Sequence, residues 1–174
     1  MRAYIGLGSN LGDRAANLAR ARLLLGRAGA VIVARSSLYR SEPVGKIEQG
    51  EFLNQVVACR WNGTPEALLS ACLEVERAIG RVRTVPGGPR SIDLDLLLCG
   101  RRTASAPGLE LPHPRLHLRR FVLEPLVEIA PRARHPILGR SAAAMLAACP
   151  DRSRVERMRA RRRSRICAPH RARL

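Results

Sequence analysis

The chain has 174 residues, 46% hydrophobic and only 3% aromatic, which fits a single globular domain with an aliphatic core rather than a disordered chain. Its net charge of +17 points to polyanionic partners, yet ten arginines against two acids lie from Asp151 onward, in a run too poor in apolar residues to close a core. Residues 1–150 are therefore expected to form the domain and 151–174 a solvated, arginine-rich tail.

Ala3 to Gly8 reads as a short apolar strand that stops at the turn-forming cluster SNLGD. Leu18, Ala21, Leu24 and Leu25 then recur at helical spacing, and Gly26 and Gly29 end that helix. Ala30 to Ser41, rich in β-branched residues, reads as one strand and Phe52 to Trp61 as the next. Thr64 supplies an N-cap, Pro65 the first helical position and Glu66 an acid in the first turn of a helix carrying Leu68, Leu69, Cys72, Val75 and Ile79. After a loop rich in glycine, proline and arginine comes a strand over Ser91 to Cys99, then a strand pair or loop to Leu111, and helices over Phe121–Ile129 and Ser141–Ala148. The order β, α, β, β, α, β predicts an α/β sandwich: a ferredoxin-like core of four strands with two helices on one face, plus additional C-terminal helices.

No apolar run approaches membrane-spanning length, and the N-terminus lacks the apolar region of a secretory signal. Five cysteines without C-x-x-C spacing read as reduced and mostly buried, so a cytoplasmic protein is expected.

The chemistry is concentrated in Ser91–Cys99, SIDLDLLLC. A strand period of two puts Ile92, Leu94, Leu96 and Leu98 on one face and Asp93, Asp95, Leu97 and Cys99 on the other, with the two carboxylates about 6.6 Å apart along the strand. Such a pair needs cations to offset its repulsion and desolvation. A solvated sheet face paired with arginines would satisfy that need. So would a metal ion, and Arg81, Arg83 and Arg90 just upstream favour a site for Mg²⁺ and the polyphosphate it neutralises. The chain has a single lysine, Lys46, away from any suitable glycine pattern, and GLGSNL places Leu11 where a dinucleotide loop needs glycine; phosphate would thus be held by arginine side chains. Phe52 and Asn54 share a strand face, setting a flat apolar surface beside an amide able to pair with a heterocycle edge. Asn10 reads as a turn or cap residue, and His113, His117, Arg119 and Phe121 cluster in HPRLHLRRF.

In order, AYIGLGSNLGD, SSLYRSEPVG, FLNQVV, E-x-x-x-G-R-x-R, GPRSIDLDLLLCG and LPHPRLHLRRFVLEPLVEIAP resemble the 6-hydroxymethyl-7,8-dihydropterin pyrophosphokinases over residues 3–148. The resemblance implies a monomeric, ferredoxin-like enzyme of folate biosynthesis that transfers pyrophosphate from ATP to the pterin hydroxymethyl group and releases AMP. It implies that Asp93 and Asp95 bind two Mg²⁺ ions and that the pterin lies between Phe52 and Phe121, read by Asn54 and the backbone around Ser41, Val44 and Gly45. It further implies that Arg81 and Arg90 act on the phosphates in the transition state, and that Arg83, His113 and Arg119 contact the nucleotide. The chain departs from the family pattern before Gly88, where Pro86 and Gly87 stand in place of the usual basic residue and aromatic, so the loop expected to close over ATP lacks its sealing ring.

Two other readings compete with this one. A basic nucleic-acid-binding protein would use the arginine tail but lacks the aromatic blocks of a ferredoxin-like RNA binder. A two-metal nuclease would need further acids beside Asp93 and Asp95, for which Glu76 is the nearby candidate.

Overall fold

The computed structural model describes residues 1–43, 48–82 and 87–158. Strand β1 (Arg2–Ser9) sends Ala3, Ile5 and Leu7 to one side and Tyr4, Gly6 and Gly8 to the other, and the layers of the fold follow that division. Helix α1 (Arg14–Arg27) is opened by Asp13, whose carboxylate accepts from the Ala16 N–H across 3.0 Å, and it buries Leu18, Ala21 and Leu25 on the Ile5 side.

The single strand expected from Ala30 to Ser41 is in fact two, β2 (Val31–Arg35) and β3 (Tyr39–Ser41), both antiparallel to β4 (Phe52–Arg60). Between them Ser36 donates its N–H to the Val56 carbonyl, while its hydroxyl accepts from the Val56 N–H. A side chain thus replaces a backbone partner and the chain steps off the ladder. Helix α2 (Pro65–Ala78) starts as predicted, with Thr64 accepting from the Ala67 N–H at 3.2 Å. Its Leu68, Cys72 and Val75 join the α1 residues in the first core layer.

Strand β5 (Asp93–Cys99) pairs with the remaining edge of β1, giving the order β5-β1-β4 with β2 and β3 beyond β4; every pairing in this six-stranded sheet is antiparallel. The strict alternation read along β5 fails after Leu96. Tyr4 pairs with Leu98 and Ile5 with Leu96, so Leu97 is an extra residue, a β-bulge. Ile92, Leu94 and Leu96 face α1 and α2, Leu97 and Leu98 both turn to the opposite layer, and Cys99 returns to the first. The bulge exchanges the faces expected for Leu98 and Cys99.

A ribbon of β6 (Ala104–Ala106) and β7 (Leu109–Leu111) leads to a 3-10 turn at Leu116–Leu118, then to α3 (Arg120–Ile129) and α4 (Ala142–Ala147). Val122, Leu123, Leu126 and Met145 pack with Tyr4, Val56, Ala58 and Leu98 as the second core layer. They leave open the end of the sheet that carries Gly6, Gly8, Asn54, Asp93 and Asp95. Val155–Arg157, inside the stretch read as a solvated tail, forms β8 against β3; residues 159–174 lie outside the described ones. Cys59, Cys72, Cys99 and Cys149 are buried and unpaired, and no helix among the described residues is long and apolar enough to cross a membrane.

Candidate active site

The open end of the second face is a cleft lined by Gly6, Gly8, Asn54, Asp93, Asp95 and Phe121. Pairing of β1 with its two neighbours explains the floor: Gly6 sits between Asp95 and Val56, and Gly8 between Asp93 and Asn54. Without side chains there, the flanking residues project past bare backbone; a Cβ on Gly8 would stand 3.3 Å from Asn54 Oδ1. These glycines, which do not make a dinucleotide loop, form the base of the cleft.

Asp93 accepts from Arg81 Nη1 on Oδ1 and from Arg90 Nη1 on Oδ2, each at 2.5 Å. Arg81 also pairs with Glu76, which is buried and accepts from the Leu94 N–H at 2.8 Å. Glu76 thus braces the strand between the two aspartates and the arginine beside them, a role that sequence spacing did not disclose. Asp95 faces Arg119 Nη1 at 3.5 Å and His113 Nε2 at 3.9 Å. Burial first, and then the neighbouring Asp93 carboxylate, push the Asp95 pKa up to about 6.

The His113 N–H is anchored on the Leu97 carbonyl, and its ring Nδ1 accepts from the Arg115 N–H at 3.1 Å, which leaves Nε2 to carry the proton toward Asp95. Burial and the charges of Arg119 and Arg115 hold its pKa down at about 4, so the imidazole is neutral near pH 7. Arg119, lowered by burial and by Arg115, places its guanidinium 5.6 Å over the Phe121 ring. Arg90 lies 5.8 Å over the Phe52 ring in the same manner.

Asn54 is buried and donates to Ser41 Oγ at 2.8 Å, leaving its carbonyl oxygen beside Gly8. The fold thus brings together Arg81, Arg90, Asp93, Asp95, His113, Arg119 and Phe121 with Phe52, Asn54 and Ser41 at the same end of the sheet. Val44, Gly45 and Arg83 lie outside the described residues. Two carboxylates on one strand face supply hard oxygen donors of the kind Mg²⁺ takes alongside phosphate oxygens, and among the described residues no larger cluster of metal-ligating side chains competes with them.

The family model described as 7,8-dihydro-6-hydroxymethylpterin-pyrophosphokinase (HPPK) matches residues 4–131. The chain is 50% identical over 131 residues to a 2-amino-4-hydroxy-6-hydroxymethyldihydropteridine pyrophosphokinase of Methylorubrum extorquens, covering 75% of this chain and 83% of the relative. It is 41% identical over 150 residues to the protein of that name in Pseudomonas aeruginosa, covering 86% and 92%. Among solved structures, wild-type Plasmodium falciparum HPPK-DHPS with pteroate superposes with a TM-score of 0.67 at 15% identity, covering 84% of this chain and 42% of that one; at that identity the likeness is one of fold. With a family model matched over most of its domain and relatives at 41–50% identity, the chain belongs to the 7,8-dihydro-6-hydroxymethylpterin-pyrophosphokinase family.

Proposed function

We propose that this chain transfers pyrophosphate from ATP to the hydroxymethyl group of 6-hydroxymethyl-7,8-dihydropterin and releases AMP, a step of folate biosynthesis. The observation that carries the reading is Asp93 and Asp95 facing one cleft beside Arg81, Arg90 and Arg119, over a floor of two glycines. We assign Asp93 and Asp95 to two Mg²⁺ ions, which when bound neutralise the triphosphate and acidify the attacking hydroxyl. Arg81 and Arg90 then have a substrate to follow: as phosphate enters, each can exchange a carboxylate partner for phosphate oxygens without leaving the cleft. A loose phosphoryl-type transition state needs such charge and in-line positioning more than covalent help. Neutral His113 donates from Nε2 to the nucleotide, where Arg119, and Arg83 by its place in the motif, add charge.

The pterin takes the side of the cleft between Phe52 and Phe121, with Asn54, Ser41 and the backbone at Val44 and Gly45 reading its edge. Rings of that kind gain from flat apolar faces, and a buried amide selects the pattern of donors and acceptors. We also infer a ferredoxin-like core, supported by the β5-β1-β4 order with β2 and β3 beyond β4 and by α1 and α2 sharing one face. The enzyme is taken to act as a cytoplasmic monomer. Family membership leaves the nucleic-acid reading without support, and the engagement of Glu76 by Arg81 and Leu94 speaks against a nuclease that would need it as a ligand.

Product analysis tests the reaction. Incubation with ATP, Mg²⁺ and the reduced hydroxymethyl pterin is expected to yield AMP, with no nucleotide consumed when the pterin is omitted. ADP as product, or turnover independent of the pterin, would overturn the assignment.

A further inference from the structure

Arg90 is held at both ends. Its guanidinium meets Asp93 at 2.5 Å and covers Phe52, which leaves open what fixes its main chain on a glycine- and proline-rich connection. Both of its backbone polar groups answer to one residue: the Arg90 N–H donates to Asn10 Oδ1 at 2.8 Å, and its carbonyl accepts from the Asn10 N–H at 3.1 Å. Next along the chain, Ser9 Oγ donates to the Ser91 carbonyl at 2.6 Å. The other end of the Asn10 amide turns away. Its Nδ2 donates to Gln49 Oε1 at 2.9 Å and to the Gly50 carbonyl at 3.2 Å, and Gln49 Nε2 in turn donates to the Gly87 carbonyl at 3.0 Å.

A primary amide has one acceptor end and one donor end, and here each is spent on a different segment. The acceptor end fixes the segment that carries Arg90; the donor end fixes the segment that leads into Phe52 and Asn54. A turn residue needs neither contact, and an alanine would supply neither.

We propose that Asn10 is a positioning residue for pyrophosphoryl transfer: it sets the main chain of Arg90 and fastens the pterin-side segment 48–51 to it, acting through Arg90 rather than on substrate. The proposal rests on the assignment of Arg90 to the phosphates. Misplacing a charged group by an ångström costs rate more than affinity, since the transition state alone demands the full geometry.

The test is a double-mutant cycle with Asn10→Ala and Arg90→Ala, read in kcat and in KM for ATP and pterin. Asn10→Ala is expected to lower kcat about 100-fold while moving either KM less than about threefold. In the Arg90→Ala background the same change should cost less than about threefold, because its target is gone. Asn10→Asp retains an acceptor for the Arg90 N–H and should recover kcat to within about tenfold of the wild type, which also guards against a loss of fold in the alanine variant. Equal slowing by Asn10→Ala in both backgrounds would overturn the positioning role while leaving Arg90 in place. An Arg90→Ala enzyme with unchanged kcat would overturn the assignment of Arg90 and this proposal with it.

Discussion

Arg90 Nη1 meets Asp93 Oδ2 at 2.5 Å while the same guanidinium lies 5.8 Å above the ring of Phe52. One cation therefore touches both the carboxylate assigned to metal and the ring assigned to the pterin, so the two halves of the proposed reaction meet at a single side chain.

Removing the charge of either aspartate should abolish most turnover while leaving the fold intact. Asp93→Asn and Asp95→Asn keep side-chain shape, and each is expected to lower kcat about 10³-fold, equivalent to roughly 4 kcal/mol of transition-state stabilisation. Steady-state AMP release alongside thermal melts checks this; unchanged turnover would remove the metal assignment.

The aromatic pair should act on binding. Phe52→Ala and Phe121→Ala are each expected to raise the pterin KM by roughly 5- to 150-fold, in line with about 1–3 kcal/mol for stacking a heterocycle on an aromatic side chain. The KM for ATP should move far less in Phe121→Ala. A larger effect on ATP than on pterin would show that the ring serves the nucleotide.

Stability below neutral pH separates two groups of opposite sign. His113 titrates near 4 in the fold against ~6.5 in an unfolded chain, so the native state refuses a proton that the unfolded state takes. Its contribution is complete above about pH 6.5 and is lost as pH falls toward 4. Asp95, pushed up to about 6 against ~3.9 unfolded, binds a proton first in the fold and favours it as pH drops through 6. Melting temperatures recorded from pH 7 to 4.5 should therefore fall less in His113→Gln than in the wild type, and more in Asp95→Asn. Parallel curves for all three proteins would contradict both assignments.

Away from the cleft, Glu128 gathers the Ser37 N–H and hydroxyl, the Tyr39 hydroxyl and the Arg157 guanidinium, tying α3 to β3 and β8. Its pKa is lowered because these hydrogen bonds and the Arg157 charge outweigh the effect of burial. Glu128→Ala is expected to cost about 2 kcal/mol in urea unfolding, with kcat within about twofold of the wild type. A loss of activity without loss of stability would mean that this end of α3 is coupled to the cleft.

Much of this was legible in the sequence, and the gaps have physical causes. Helix α2 could be placed to the residue because Thr64, Pro65 and Glu66 state its start in local terms. The acidic face of Asp93 and Asp95 followed from the strand period alone. The break at Ser36 did not, because it depends on the Val56 backbone, a partner twenty residues away. Gly6 and Gly8 have no side chain to announce a role; they become a floor only when pairing sets Asp93, Asp95 and Asn54 beside them. Asn10 looks like an ordinary turn residue until the segments at Gln49 and Arg90 close around it. Composition marks the stretch from Asp151 as a tail but says nothing of the three residues that pair with β3.

The bulge at Leu97 has a consequence for how the strand tolerates change. Asp93 and Asp95 face the cleft, while Leu98 fills the second core layer and Cys99 the first; with Leu97 between them, strict alternation from Asp93 would exchange those two layers. The extra residue shifts the phase of the strand by half a period, so the acidic segment and the packing segment are set independently. Deleting Leu97 would restore perfect alternation while Asp93, Asp95, Leu98 and Cys99 keep their present faces, so the loss would be confined to one buried side chain of the second layer.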